Sequence, residues 1–182
     1  MKVVVDITGA SGSIYGYSLI RLLHKKGIEL AIILTKMGEK VMNYECGITR
    51  DEIKKYGTIY DNDDLFAPIA SGSYQVDATV IIPCSMNSLG QIANGMGDTL
   101  LARSASVALK EGKKLIVVVR ETPYSVIAME NMLRLGKAGG TIMPASPGFY
   151  HKPTQIWELV ESIAYRILDQ LGIEAKEAVR WK

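Results

Sequence analysis

The opening residues constrain the fold of this chain more than any other stretch. Val3-Val4-Val5-Asp6-Ile7 is a largely β-branched run, Thr8-Gly9-Ala10-Ser11-Gly12 is turn-forming, and Tyr15 begins an amphipathic pattern. Strand, tight loop and helix in that order aim a helix N-terminus at whatever sits above the sheet. Unpaired first-turn N–H groups, the positive end of the helix dipole and the hydroxyls of Ser11 and Ser13 suit a phosphate. A plain strand-to-helix turn that uses glycine for its backbone freedom explains the same residues equally well. Gly9, Gly12 and Gly16 give G-x-x-G-x-x-x-G, which is not the dinucleotide fingerprint, and no helix-bound GK[ST] follows. A mononucleotide is the phosphate ligand that fits.

The pattern then alternates. Helical spacing from Tyr15 to Lys26 stops at Gly27, and Glu29–Thr35 is an apolar run buried on both faces. Helices are expected over Lys36–Glu45 and Asp51–Tyr56, followed by an irregular segment from Asp61 to Tyr74. Strands are expected at Ala78–Pro83, Leu115–Val119 and Thr141–Pro144. Helices fill Cys84–Asn94, Thr99–Lys110 (capped by Asp98), Val126–Leu135 and Thr154–Leu171. Five strands separated by helices predict one α/β domain over residues 1–182, a three-layer parallel sheet of flavodoxin-like or Rossmann-like type. Such sheets bind ligands beyond their C-terminal strand ends. The Gly/Ser loop, Cys84–Leu89, Arg120–Ser125 and Ala145–Tyr150 all follow expected strands.

Composition narrows the ligand class. Twenty-one basic residues against nineteen acidic ones, interspersed, form no nucleic-acid surface. Cys46, Cys84, His24 and His151 show no zinc spacing, so no metal site is expected. The first strand begins too close to Met1 for a signal peptide, and no apolar run approaches the roughly 20 residues of a membrane span. A reducing cytoplasm is the expected setting, with no membrane partner. An apolar content of 48% points to surface covered by copies of the chain itself.

Among single residues, Ser85 and Ser88 lie one turn apart at a helix start, where capping accounts for Ser85 alone. Cys84 beside them fits a buried small apolar residue better than a nucleophile. Arg120-Glu121, directly after a buried strand, pairs a phosphate-gripping guanidinium with a carboxylate able to shuttle a proton, or bridges two loops as an ion pair. Arg103 and Lys110 share one helix face and read as solvated charges. Tyr150 stands at a strand exit, and Arg166 sits in an apolar stretch as a buried arginine in need of an anion. Trp181 is too far from any apolar helix for local packing.

Together, Thr8-Gly9-Ala10-Ser11-Gly12, Pro83-Cys84-Ser85-Met86, Arg120-Glu121-Thr122-Pro123-Tyr124-Ser125, Glu130-Asn131-Met132-Leu133 and Pro147-Gly148-Phe149-Tyr150 resemble the UbiX-type flavin prenyltransferases over nearly the whole chain. The resemblance implies transfer of a dimethylallyl group from dimethylallyl phosphate to N5 and C6 of reduced FMN, without a metal ion. It further implies a prenylated FMN product that serves UbiD-type decarboxylases, and homododecamers with active sites at subunit junctions. By the same resemblance Gly9, Ala10, Ser11, Thr35, Ser85, Met86, Asn87, Ser88 and Arg120 surround FMN. Tyr150 and Arg166 hold the prenyl phosphate, with Lys110 and Arg103 as further cations. Glu121, Glu45 and Ser11 handle protons, and Trp181 closes over the prenyl group. The alternatives are an FMN-dependent cysteine-type decarboxylase and a non-catalytic FMN carrier. Neither histidine is placed for the first, and the carrier needs no second phosphate site.

Overall fold

A computed structural model describes residues 1–181. The chain folds into six strands, β1 (Lys2–Ile7), β2 (Glu29–Leu34), β3 (Thr58–Asp61), β4 (Ala78–Cys84), β5 (Lys114–Val119) and β6 (Thr141–Pro144). All are parallel, in the order β3-β2-β1-β4-β5-β6, which is that of a Rossmann-type doubly wound sheet. Between them run α1 (Ser13–Lys25), α2 (Lys36–Cys46), α3 (Arg50–Ile53), α4 (Met86–Ala93), α5 (Leu100–Lys110) and α6 (Val126–Lys137), with α7 (Ile156–Leu171) after β6.

Alternation along the strands sorts the core into two layers. Val3, Val5 and Ile7 of β1 pack with Leu19, Leu23, Ile163 and Ile167 of α1 and α7. Val4, Ile81 and Val117 face the other way, onto Leu89, Leu101, Ala105 and Leu135 of α4, α5 and α6. The central strands are buried on both faces, which is why they read as continuous apolar runs.

Two expectations change. β3 is a sixth strand absent from the sequence reading: its four residues pair with Ala31–Leu34 at the sheet edge, and only Ile59 and Tyr60 touch the two cores. An edge strand this short carries too little apolar signal to be seen. The cap of α5 is Thr99, whose hydroxyl accepts from the Ala102 N–H at 3.3 Å, and not Asp98.

Glycine is needed at two points near the first turn. Gly12 caps α1 at φ 92°, and a Cβ on Gly16 would meet the Ile82 carbonyl at 2.5 Å, so α1 lies directly on β4. Elsewhere the surface is unusually apolar. Val126, Ile127, Met129 and Leu133 of α6 are all exposed, as are Phe66, Phe149 and Ile156. No helix among the described residues is long and apolar enough to cross a membrane.

Asp6 is the one charged-type side chain in the core of β1. It is fully buried, its Oδ1 has no partner, and its Oδ2 accepts only a long 3.4 Å bond from the Ser104 hydroxyl. Burial pushes its carboxyl well above the ordinary carboxylate range, and the Ser104 bond offsets this only in part. Above the unfolded pKa, near about 4, the unfolded chain releases a proton that the folded chain keeps, so stability falls as pH rises through that window. Asp6→Asn should therefore raise Tm at pH 7 by about 5 °C and lose that gain below about pH 4. Equal gains at both pH values in a thermal melt would contradict this origin.

Candidate active site

The C-terminal strand ends form one polar edge, and Thr8 ties it together. This residue is 1% exposed, immediately after β1. Its hydroxyl donates to the Pro83 carbonyl at 2.7 Å and accepts from the N–H groups of Ser85 at 2.9 Å and Ala10 at 3.4 Å. One side chain thus fixes the Gly9–Gly12 loop against the exit of β4. A Cβ on Gly9 would lie 2.7 Å from that of Met37, so the loop also packs against the start of α2.

Four helices begin at this edge, and each N-terminus is capped from within the chain. Thr35 caps α2 by accepting from Gly38, and Ser125 caps α6 by accepting from Ala128. Ser85 caps α4, accepting from the Ser88 N–H at 3.3 Å and donating to the Ser88 hydroxyl at 3.1 Å, which accounts for both serines. The first turn of α1, where the sequence left room for a phosphate, holds a carboxylate of the chain itself. The N–H groups of Gly12 and Ser13 and the Ser13 hydroxyl donate to Glu45 Oε2 at 2.9, 3.2 and 3.0 Å. The chain supplies its own anion to that dipole. Partial burial would raise the Glu45 carboxyl, but hydrogen bonds from the Ser11 hydroxyl, Gly12 and Ser13 outweigh it and hold the carboxyl below its ordinary range.

The Arg120 Nε donates to the Ser11 carbonyl at 2.9 Å, joining the exit of β5 to the first loop. Glu121 beside it is exposed, and the loop-to-loop contact of Arg120 is to the Ser11 carbonyl and not an ion pair with Glu121. Cys84 is fully buried, and desolvation, followed by repulsion from Asp6, pushes its thiol up, so no reactive thiolate forms there. His24 is exposed on α1, with its ring edge-on to Tyr56. The edge therefore presents Ser11, Thr35, Ser85, Met86, Asn87 and Arg120 together. Hydroxyls, backbone N–H groups and a guanidinium beside an apolar side chain suit a mononucleotide phosphate and ring.

A second concavity, of about 620 Å³, lies between α7, the Ser146–His151 turn and the chain's end. Tyr150, Arg166, Asp169, Arg180 and Trp181 line it. The expectation of a buried, unpartnered Arg166 is corrected. Its side chain is 59% exposed and pairs with Asp169 at 2.9 Å, because its position on α7 points outward while Ile163 and Ile167 point inward. Arg180 grips the same carboxylate at 2.6 and 2.8 Å. The Tyr150 hydroxyl donates to the Val179 carbonyl at 3.2 Å, and its ring meets Trp181 edge-on at 5.5 Å.

Within one chain these groups do not converge with the strand edge. Arg166 and Asp169 lie in the second half of α7, toward the end where Lys114, the first residue of β5, donates to the Gln170 carbonyl. Lys110 ends α5 just before β5 begins, at the N-terminal strand edge, where it pairs with Glu111. Arg103, nearer the start of α5, donates to the Ala70 carbonyl at 2.9 Å. The sequence reading had singled out no role for Thr8, Asp169 or Arg180. A Thr closing a strand is unremarkable until its three partners are seen, and Asp169 and Arg180, eleven residues apart, are brought together only when the tail folds back along α7.

Residues 1–167 match the Flavoprotein family model. The chain is 44% identical over 182 residues to a protein named flavin prenyltransferase UbiX from Methanocaldococcus jannaschii, covering 100% of this chain and 98% of that one. A probable UbiX-like flavin prenyltransferase from Bacillus subtilis is 43% identical over 182 residues, covering 100% and 89%. Among solved structures, AnUbiX (PadA1) in complex with FMN and dimethylallyl pyrophosphate superimposes with a TM-score of 0.98 at 34% identity, covering 100% of this chain and 97% of that one. A dodecameric FMN-dependent UbiX-like decarboxylase from Escherichia coli gives 0.97 at 36%, with both chains fully covered. On fold, length and sequence alike, the chain belongs to the UbiX-type flavin prenyltransferases within the Flavoprotein family.

Proposed function

We propose that this chain transfers a dimethylallyl group from dimethylallyl phosphate to reduced FMN. The observation that carries the reading is that one chain offers two places for an anion. One is the strand edge around Thr8 and Arg120; the other is the cavity of Tyr150, Arg166 and Arg180. An FMN carrier needs only the first. The decarboxylase name borne by the Escherichia coli neighbour supplies the competing reading. That reaction also needs an acid-substrate site, for which the sequence offers no separate motif.

FMN would lie at the strand edge, held by Gly9, Ala10, Ser11, Thr35, Ser85, Met86, Asn87, Ser88 and Arg120. Its reduced ring supplies the nucleophilic N5 and C6. The prenyl phosphate would be gripped by Tyr150 and Arg166, with Lys110 and Arg103 adding positive charge. A phosphate is a leaving group only when its growing charge is stabilised, and guanidinium groups with a tyrosine hydroxyl do this. The faces of Tyr150 and Trp181 shelter developing allylic positive charge. Glu121, with Ser11 and Glu45, accepts the proton that ring closure releases. Exposed and next to Arg120, Glu121 is free to do so; Glu45 also keeps α1 and the first loop in place.

The two half-sites lie apart in one chain, so they meet between copies. The exposed apolar face of α6 is the kind of surface such an assembly covers, and the related Escherichia coli protein is a dodecamer. The product passes to a UbiD-type decarboxylase. Two free cysteines and no disulfide among the described residues fit a cytoplasmic setting.

Anaerobic incubation with reduced FMN and dimethylallyl phosphate should yield a flavin heavier by one prenyl unit. An unchanged flavin mass, with either the phosphate or the diphosphate as donor, would reject the function. Glu121→Gln should keep FMN binding and slow turnover by about a hundredfold or more. A variant as fast as the parent would remove Glu121 from proton handling.

A further inference from the structure

The last described residues run back along α7; Lys25 and Lys26 hold them at Glu177, at 3.7 and 3.2 Å, and the Asp169 carboxylate holds them at Arg180. Asp169 Oδ2 accepts from Arg166 Nη1 at 2.9 Å and from Arg180 Nη1 at 2.6 Å, while its Oδ1 accepts from Arg180 Nη2 at 2.8 Å. The Asp169 side chain is 20% exposed, against 59% and 53% for the two arginines. The carboxylate is thus the fixed member, and the arginines are the long side chains it holds. A bidentate pair sets a guanidinium plane as well as its distance.

Helix stability does not account for this residue. Asp169 lies in the last turn of α7, where the negative end of the dipole disfavours a carboxylate, and that turn has no basic residue of its own. What the carboxylate gains there is two cations, one from its own helix and one from the tail. Its single negative charge offsets one of the two guanidinium charges, in a cavity that Glu158, Glu161 and Glu177 also line. Without it, Arg166 and Arg180 would face each other as like charges. The tail that Arg180 anchors carries Val179, whose carbonyl accepts from Tyr150, and Trp181, which packs edge-on to the Tyr150 ring.

We propose that Asp169 is a positioning residue that acts twice: it orients the Arg166 guanidinium into the cavity, and it clamps the C-terminal tail so that Trp181 stays against Tyr150. The cavity's role as the prenyl phosphate site rests on the function proposed above; the clamp itself does not. Phosphate binding and closure of the aromatic wall are then coupled through one side chain. Loss of the carboxylate loosens both, whereas loss of Arg180 loosens only the tail.

The test uses the Trp157→Phe background, which leaves Trp181 as the sole tryptophan of the two in the chain. Acrylamide quenching reports the tail, and steady-state kinetics with dimethylallyl phosphate report the donor site. Adding Asp169→Asn should raise the quenching constant about twofold and raise KM for the donor about tenfold, with FMN affinity changed far less. Asp169→Glu, which keeps the charge, should restore most of both. Arg180→Ala should raise quenching as much as Asp169→Asn while raising KM less. Unchanged quenching in Asp169→Asn, with FMN binding confirming the fold, would overturn the clamp, and an unchanged KM would overturn the orienting role. If the parent transfers no prenyl group, the function fails, and quenching still decides whether the clamp exists.

Discussion

The hydroxyl of Thr8 is the interaction on which the ligand edge depends. Parallel strands end with free backbone groups, and loops leaving adjacent strands are normally independent of one another. Here one buried oxygen donates to the carbonyl of Pro83 and accepts from Ser85 and Ala10, so the loops after β1 and β4 move as one unit. These are the strands that flank the reversal in strand order, where doubly wound sheets open a crevice. Arg120 extends the tie to β5 through the Ser11 carbonyl, and Glu45 extends it to α2 through Gly12 and Ser13. A ligand arriving at this edge meets a surface already held in shape, which is what precise placement of a reacting ring demands.

The cavity beside α7 is built differently. Tyr150, Arg166 and Trp181 are exposed side chains at the outer face of α7, held through Asp169 and through the contacts of Tyr150 with the tail. The direction of α7 carries Arg166 away from the strand C-termini at about 1.5 Å per residue. An assembly in which copies bring the two halves together explains this placement and the uncovered apolar residues of α6 at once.

Much of the sheet was legible in the sequence because buried parallel strands leave unbroken apolar runs, as at Ile32–Leu34 and Leu115–Val119. β3 was invisible because its stability comes from pairing with β2, and backbone pairing leaves no mark on side-chain pattern. The strand-end loops could be found by their position alone. The sequence did not show that Ser85 and Thr35 also cap their own helices, that Ser85 donates to Ser88, or that Glu45 lies at the first turn of α1. Arg166 misled in the opposite direction. Its neighbours in sequence are apolar, but helical geometry puts it on the outer face, beside an aspartate three residues on.

The central claim is that a flavin sits on the edge tied by Thr8 and faces the Tyr150 and Arg166 of another copy. A crystal structure of the chain grown with FMN and dimethylallyl phosphate tests it most directly. The account predicts the flavin against the Gly9–Ser11 loop, Ser85 and Arg120, with Tyr150 and Arg166 of a second copy around the phosphate of the donor. A flavin bound elsewhere, or Tyr150 and Arg166 remote from every flavin in the assembly, would contradict it.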